Sequence, residues 1–565
     1  MMTVKNLTVR TPGKGPPVLS DVSMGFRPGA MNAVIGPSGC GKTTLVRAAV
    51  GAADLPAEGT FLFNGAPLDR REDRIGRVGY VPQFCVAHPD LTVGESIRYS
   101  LRLLDTEPAA ADRRLEHLLA ETGLAGLRDT LVGRLSGGQL RRMALALELV
   151  ADPSLLFCDE VTAGLDPESE AGILDLIRGL VAEQGKTTVN VIHNLHHLHR
   201  FDWIVVLDEG RKIFEGGFTA FREWFGLEDP VLLFRLLGET RGSRDRAGEW
   251  LASGRDPAWE PEDSAGGEDP AARSRPGPAG PLRQAATLLG RRWRLFLRDR
   301  GYLLLTGAIT FGFPLLVVIF ALDGIPQLTR LALDPDLGAL GRLRGELAFA
   351  KEAAELGSLV SSLILFQVVL LTLTGGNNGA REIAPEADLF FQESLRGLRA
   401  GPYCVEKLVF TGCVAVVQGL AMTVVVKSVV HFPGSLLTQA ATLCLVSLAL
   451  SWLALGFSAW MKSGEKASLL AVYVVGFQLP LSGIVLTLPE PFTEIVRSVI
   501  TTYWGWSAYL SSFRETGLYD AAVFVGGEAV PRVGPALLVL SIHALSALVL
   551  VLAGVTRLQR SGRTG

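Results

Sequence analysis

Apolar and polar positions change their period along this chain. Val4 to Val9 and Val18 to Phe26 alternate, as strands with one wet face do, and Pro12-Gly13-Lys14-Gly15-Pro16-Pro17 between them reads as a turn. Met31-Asn32-Ala33-Val34-Ile35 is a short apolar run read as a buried strand, and Leu45-Val46-Arg47-Ala48-Ala49-Val50 as a helix start. Phe61–Gly65, Gly79–Gln83, Leu155–Glu160 and Val189–His193 predict further strands, with helices near 96–104 and 109–122. Beyond residue 300 the apolar runs lengthen. Six approach or exceed the roughly 20 residues that cross a hydrocarbon core. They are 303–322, 356–374, 408–430, 436–460, 467–488 and 535–555.

Between these halves the pattern lapses. Ser253 to Pro281 is rich in Gly, Pro, Ala, Asp and Glu, which predicts a flexible linker, taken as 236–281 in the domain division. Residues 282–300 then place Leu282, Ala286, Leu289, Trp293 and Leu297 on one face, with Arg283, Arg291, Arg292, Arg294, Arg298 and Arg300 around them. A basic amphipathic helix of this kind lies on a cytoplasmic membrane surface. The expected fold is an α/β domain over 1–235, followed by an all-α transmembrane domain of six helices over 301–565. A chain of 565 residues is too long for one core.

Composition adds exclusions. A net charge of −3 carries no footprint for nucleic acid, so none is expected as a partner. The six cysteines divide between the soluble part and the apolar segments and indicate no disulfide framework. The opening Met-Met-Thr-Val-Lys-Asn-Leu-Thr-Val has no apolar signal core, and no cleaved secretory peptide is expected.

The candidate chemistry begins at Gly36-Pro37-Ser38-Gly39-Cys40-Gly41-Lys42-Thr43-Thr44, which fits G-x-x-x-x-G-K-[ST] between a strand and a helix. Glycines there let successive amides turn toward phosphates, and the helix N-terminus adds unsatisfied donors. Lys42 would reach the β- and γ-phosphates, and the Thr43 hydroxyl would ligate Mg²⁺. Farther on, Leu135-Ser136-Gly137-Gly138-Gln139 heads a second helix and offers a second phosphate cradle.

With that segment the chain resembles the nucleotide-binding domain of ABC transporters, whose signature is LSGGQ. The resemblance covers residues 1 to about 235. It implies that Asp159 holds Mg²⁺, that Glu160 orients or deprotonates the attacking water, and that His193 contacts the γ-phosphate. It also implies that Gln83 senses Mg²⁺ and couples to the membrane domain, and that Ala163-Gly164-Leu165-Asp166 signals across a dimer. His196, His197 and His199 look like metal ligands beside His193, but read as a solvated helix rather than a zinc site. Two departures stand out: no aromatic residue lies near Arg10–Thr11 to stack on adenine, which leaves selectivity against GTP open, and Val161 stands where the family often has proline.

An ATPase followed by six spans is similar to the G subfamily of ABC half-transporters. Local matches are Arg381-Glu382-Ile383 through Gly401-Pro402-Tyr403 and Lys407, an internal coupling loop, and Leu481-Ser482-Gly483-Ile484-Val485 with Tyr503–Leu510, a fifth span and re-entrant segment. Internal loops 376–407 and 461–466 carry more Lys and Arg than the longer external 489–534, although the first external loop, 323–355, is not poor in them. The resemblance implies a homodimer in a membrane, with the ATPase in the cytoplasm and ATP and Mg²⁺ as cofactors; the Ala-, Gly- and Arg-rich style with short external loops points to a bacterial plasma membrane. Its partners would be membrane lipids and a hydrophobic or amphipathic exported substrate. Phe366, Gln367, Phe477, Leu481, Ile484 and Val485 are the candidate path, with lipid-facing or helix-packing roles as the alternative. A membrane-anchored regulatory or mechanotransducing ATPase, or pairing with a different half-transporter, stays open. Gln418, Lys427 and His543 are further polar residues within spans.

Overall fold

Strand β3, Met31–Ile35, is buried along its whole length, and its side chains divide between two cores. Met31, Ala33 and Ile35 pack with Leu156, Cys158, Met143, Leu147 and Ile173, while Val34 packs with Leu155, Phe157, Leu45, Met2 and Val4. That alternation is the period-2 geometry of a strand covered on both faces. The protein is seen in a computed structural model that describes residues 2–11, 15–52, 55–69, 71–239, 245–257, 276–322, 339–485, 489, 492–526 and 529–561. These residues cluster into two compact units: one of 1–288, 388–402 and 559–565, the other of 289–387 and 403–558.

The first unit is built from two sheets. β1 (Met2–Val9), β2 (Leu19–Phe26), β4 (Ala57–Phe63) and β5 (Ala66–Pro67) form an antiparallel sheet in the order β2-β1-β4-β5. The other strands are β6 (Val78–Val81), β7 (Leu155–Asp159), β8 (Thr187–Val191), β9 (Trp203–Asp208) and β10 (Arg211–Gly216). With β3 they order as β10-β9-β3-β8-β7-β6, and all pairings but β10 with β9 are parallel. Helices Gly137–Leu149 and Pro167–Gln184 supply one core, and the antiparallel sheet with helix Lys42–Ala49 supplies the other.

The expected linker differs at its near end. Residues Leu233–Glu239 and Arg246–Ala252 are helical, and Trp250 is 2% exposed in the first core. Its ring meets Phe214 and Trp224, and its Nε1 donates to Asp256, which also takes the Lys212 ammonium at 2.6 Å. A single aromatic anchor outweighs the loop-like composition around it. Residues 258–275 of that linker lie outside the described residues.

The second unit is helical. Among the described residues five helices are long and apolar enough to cross a membrane: Arg300–Ile319, the apolar part of Ala339–Ala380, Ala400–Val430, Leu436–Trp460 and Val533–Ser561. The segment expected as a fifth span is shorter. Its helix, Gly464–Gln478, has 15 residues and stops before Pro480, with Gly483 at φ 71° closing the turn. Residues 486–488, and 323–338 of the first external loop, lie outside the described residues. A close seam joins Ala339–Ala380 to Leu436–Trp460, where a Cβ on Gly375 would sit 2.8 Å from the Ser447 carbonyl oxygen and one on Gly379 would run into that of Ser451. The basic helix Pro281–Arg298 does not keep all its arginines on a wet face. In this unit Arg292 pairs with Glu382 and lies 4.2 Å from the Phe410 ring, while Trp293 and Phe296 pack on Phe410.

Trp250→Ala should destabilise the first unit by about 3–5 kcal/mol, the range for emptying a buried aromatic site. Calorimetry of the full chain in detergent would show the transition of the first unit moved down.

Candidate active site

The loop Gly36–Gly41 leaves β3 and enters helix Lys42–Ala49 through Gly41, whose φ of 103° favours glycine. A Cβ there would also sit 2.5 Å from Leu19 Cδ2, and one on Gly36 would collide with the Leu207 carbonyl. No side chain caps this helix, so its first amides keep their donors for a ligand. Lys42 is buried at 5% exposure, and its Nζ donates to the Gly36 and Pro37 carbonyls at 2.8 and 2.9 Å.

The parallel order brings the C-terminal ends of β3, β8, β7 and β6 to one edge of the sheet. Asp159 closes β7 with both oxygens engaged: Thr43 Oγ1 donates to Oδ1 and the Tyr80 phenol to Oδ2, each at 3.2 Å. Burial pushes the Asp159 carboxyl pKa up, and these two donors pull it back. Burial also raises the Tyr80 phenol, with Asp159 beside it adding to the shift. Glu160 follows in the left-handed region, at φ 53°, its N–H donating to Val191 O at 3.2 Å. Its carboxylate is held from two sides, by Gln83 Nε2 at 3.2 Å and His193 Nε2 at 2.6 Å. Thr43, Gln83, Asp159, Glu160 and His193 are thus gathered in one place from four strand ends.

Ser136 caps helix Gly137–Leu149 in a reciprocal box with Gln139. This segment lies beside the 163–166 loop: a Cβ on Gly137 would be 3.7 Å from Leu165 Cδ2, and one on Gly138 3.2 Å from Ser169 Oγ. Asp166 caps the next helix through the Ser169 N–H. Among the described residues, no hydrogen bond or ion pair of Leu135–Gln139 reaches Gly36–Thr44.

The geometry adds residues that motif reading did not single out. Tyr80 and Arg47 surround Asp159, Arg47 acting on both the phenol and the carboxylate. Glu148, 3% exposed on the signature helix, accepts the Tyr80 N–H at 3.2 Å and Arg396 at 2.6 Å. A cavity of about 400 Å³ is lined by Thr43, Tyr80, Gln83 and Asp159 together with Asp388, Phe391 and Gln392. The alternation of β6 could have pointed to Tyr80, which shares a face with the helix after the loop.

In the second unit an apolar cavity of about 430 Å³ brings Phe366 and Val485 together, with Phe320, Leu359, Leu363 and Leu479. The other candidate path residues are elsewhere. Gln367 is fully buried and bonds to Leu363 O of its own helix, Phe477 is 58% exposed, Leu481 is half-buried, and Ile484 packs on the helical core. Gln418 pairs with Asn378 at 2.7 Å, Lys427 with Gly434 O and Gln439, and His543 with Thr501 and the Ser498 carbonyl.

Residues 19–163 match the family described as ABC transporter, and residues 283–516 the ABC-2 type transporter family. The chain belongs to the ABC transporters. It is 29% identical over 530 residues to the ABC transporter ATP-binding/permease protein Rv1747 of Mycobacterium tuberculosis, covering 91% of this chain and 57% of that protein. ABC transporter G family member 21 of Arabidopsis thaliana is 36% identical over 219 residues, 37% of this chain and 32% of its own length. The chain therefore spans about half or less of these two curated relatives. Among solved structures, the dimeric post-hydrolysis state of the ATP-binding cassette MJ0796 with ADP and Pi is 26% identical and covers 38% of this chain and 98% of its own, with a TM-score of 0.35.

This ABC transporter is a multi-pass membrane protein with an N-terminal ATPase domain that binds ATP with Mg²⁺. The residues fit both groups. Uncapped amides and the Lys42 ammonium suit a triphosphate, and the Thr43 hydroxyl next to the Asp159 carboxylate offers Mg²⁺ the hard oxygens it takes. Mg²⁺ would neutralise charge on the phosphates, and Glu160, held by Gln83 and His193, would be the group to accept a proton from water. Glu160→Gln should slow hydrolysis about a hundredfold or more with ATP binding retained. Lys42→Ala should weaken binding itself; titrating a fluorescent ATP analogue beside a phosphate-release assay separates the two.

Proposed function

We propose that the chain is one half of a homodimeric, ATP-driven exporter in a bacterial plasma membrane. The observation that carries this reading is that the two phosphate cradles of one chain stand with different partners and share no bond among the described residues. The Gly36–Thr44 loop stands with Asp159, Glu160, Gln83 and His193, while Ser136–Gln139 stands with the 163–166 loop. A second copy supplies the missing signature, so two ATP molecules are clamped between two chains. Binding energy realised only in the closed pair drives closure, and hydrolysis at Glu160 releases it.

The loop from the membrane half supports coupling. Residues 388–402 belong to the same compact unit as residues 1–288. Within it Phe391 packs half-buried on the core that contains β1 and β3, and Arg396 bonds to the buried Glu148. Movement of the signature helix is therefore felt by a segment continuous with the membrane helices. The apolar cavity around Phe366 and Val485 suits a hydrophobic or amphipathic substrate.

Reconstitution into lipid vesicles with ligands that copurify tests export: ligand-stimulated ATP hydrolysis and accumulation are expected together. Hydrolysis that no ligand stimulates, with no accumulation, would point to a regulatory ATPase instead. Phe391→Ala should keep ATP binding while transport and stimulated turnover fall in parallel. In a covalent tandem, Lys42→Ala in one half and Gly137→Asp in the other should preserve one intact composite site. Both lesions in the same half should damage both sites, and equal activity of the two tandems would contradict the composite arrangement.

A further inference from the structure

One residue of β6 bonds both to Asp159 and to the carboxylate that holds Arg396 of the 388–402 segment. The Tyr80 phenol donates to Asp159 Oδ2 at 3.2 Å, while its main-chain N–H donates to Glu148 Oε2 at the same distance. The second Glu148 oxygen takes Arg396 Nε at 3.0 Å and Nη2 at 2.6 Å. Tyr80 is 6% exposed, Glu148 is 3% exposed, and the Arg396 side chain is 11% exposed. A carboxylate so enclosed cannot change partners without stranding a charge, so the pair pins the strand where Tyr80 emerges.

The consequence lies at Asp159. A carboxylate torsion is soft and nearly two-fold, and one hydrogen bond, from Thr43, would leave its plane free to rock. The Tyr80 phenol on the other oxygen fixes that plane. Mg²⁺ demands near-octahedral geometry at short distances and tolerates a rotated ligand poorly. Asp159, Phe391 and Gln392 line one cavity of about 400 Å³, and the bonded chain Arg396–Glu148–Tyr80 joins the 388–402 segment to Asp159.

We infer that Tyr80 is a positioning residue that orients Asp159 for Mg²⁺, and that the seating of residues 388–402, through Arg396 and Glu148, sets that orientation. This rests on Asp159 as the metal carboxylate, and the test keeps the two apart. The full chain in detergent, carrying Glu160→Gln to block turnover, is titrated with a fluorescent ATP analogue at increasing Mg²⁺. The readout is the Mg²⁺ concentration that half-saturates tight nucleotide binding.

Tyr80→Phe should raise that concentration about tenfold, the worth of one hydrogen bond to a charged group, with metal-free nucleotide affinity unchanged. Arg396→Ala should raise it in the same direction by about threefold, since it acts through two bonds rather than one. Asp159→Asn should abolish the Mg²⁺ dependence. If Asp159→Asn behaves as the parent, the metal reading itself fails. If Asp159→Asn loses the dependence but Tyr80→Phe does not shift it, the positioning role fails alone. Tyr80→Phe that also loses metal-free binding counts against it equally, because the hydroxyl would then serve the fold rather than the metal. A shift with Tyr80→Phe and none with Arg396→Ala overturns the link to the 388–402 segment.

Discussion

Parallel strands all point one way, so whatever follows each of them emerges at the same edge, and this protein places its chemistry on that edge. β3 delivers the phosphate loop, β7 delivers Asp159 and Glu160, β8 delivers His193 and β6 delivers Gln83. No single side-chain contact could gather groups from positions 43, 83, 159, 160 and 193. The pairing register does it, with Asp159 beside Val191 and Cys158 beside Val81. The carboxylates then need little further steering, and the hydrogen bonds from Thr43, Tyr80, Gln83 and His193 complete it.

A second dependence runs outward from that edge through buried charge. Glu148 closes the signature helix where it meets β6, and its charge is paired by Arg396, which arrives from a segment about 250 residues away. Soft, solvated surface contacts hold little against thermal motion. A buried, fully bonded ion pair instead ties the loop, the signature helix and the metal-side strand into one body.

Much of this was legible where function is written in contiguous residues. The phosphate loop, the LSGGQ segment, the acidic pair after Leu155–Cys158 and the histidine after Val189–Ile192 each sit at a strand end or helix start, because that is where unsatisfied backbone groups and free side chains occur. What sequence could not show was set by distant pairing. Tyr80 reads as one more strand residue until Asp159 lies beside it, and Glu148 reads as a helix-surface acid until Arg396 and β6 enclose it. Trp250 turns a polar stretch into part of a core, and Pro480 with Gly483 interrupts an apolar run whose hydropathy alone suggests a full span. Phe366 and Val485 share a cavity while Gln367 and Phe477 do not, since helical periodicity gives no means of telling a cavity from lipid or a neighbouring helix.

The central claim is that ATP is clamped between the phosphate loop of one copy and the signature of another. Its most direct test is a distance. A spin label at the exposed Glu168, next to the 163–166 loop, reports the separation of the two signature regions in a dimer. In the Glu160→Gln protein, pulsed electron paramagnetic resonance should show a single label-to-label distance that shortens when Mg²⁺-ATP is added and lengthens again when it is removed. A distance that Mg²⁺-ATP does not change, or the absence of any pair of labels in the purified chain, would contradict the account.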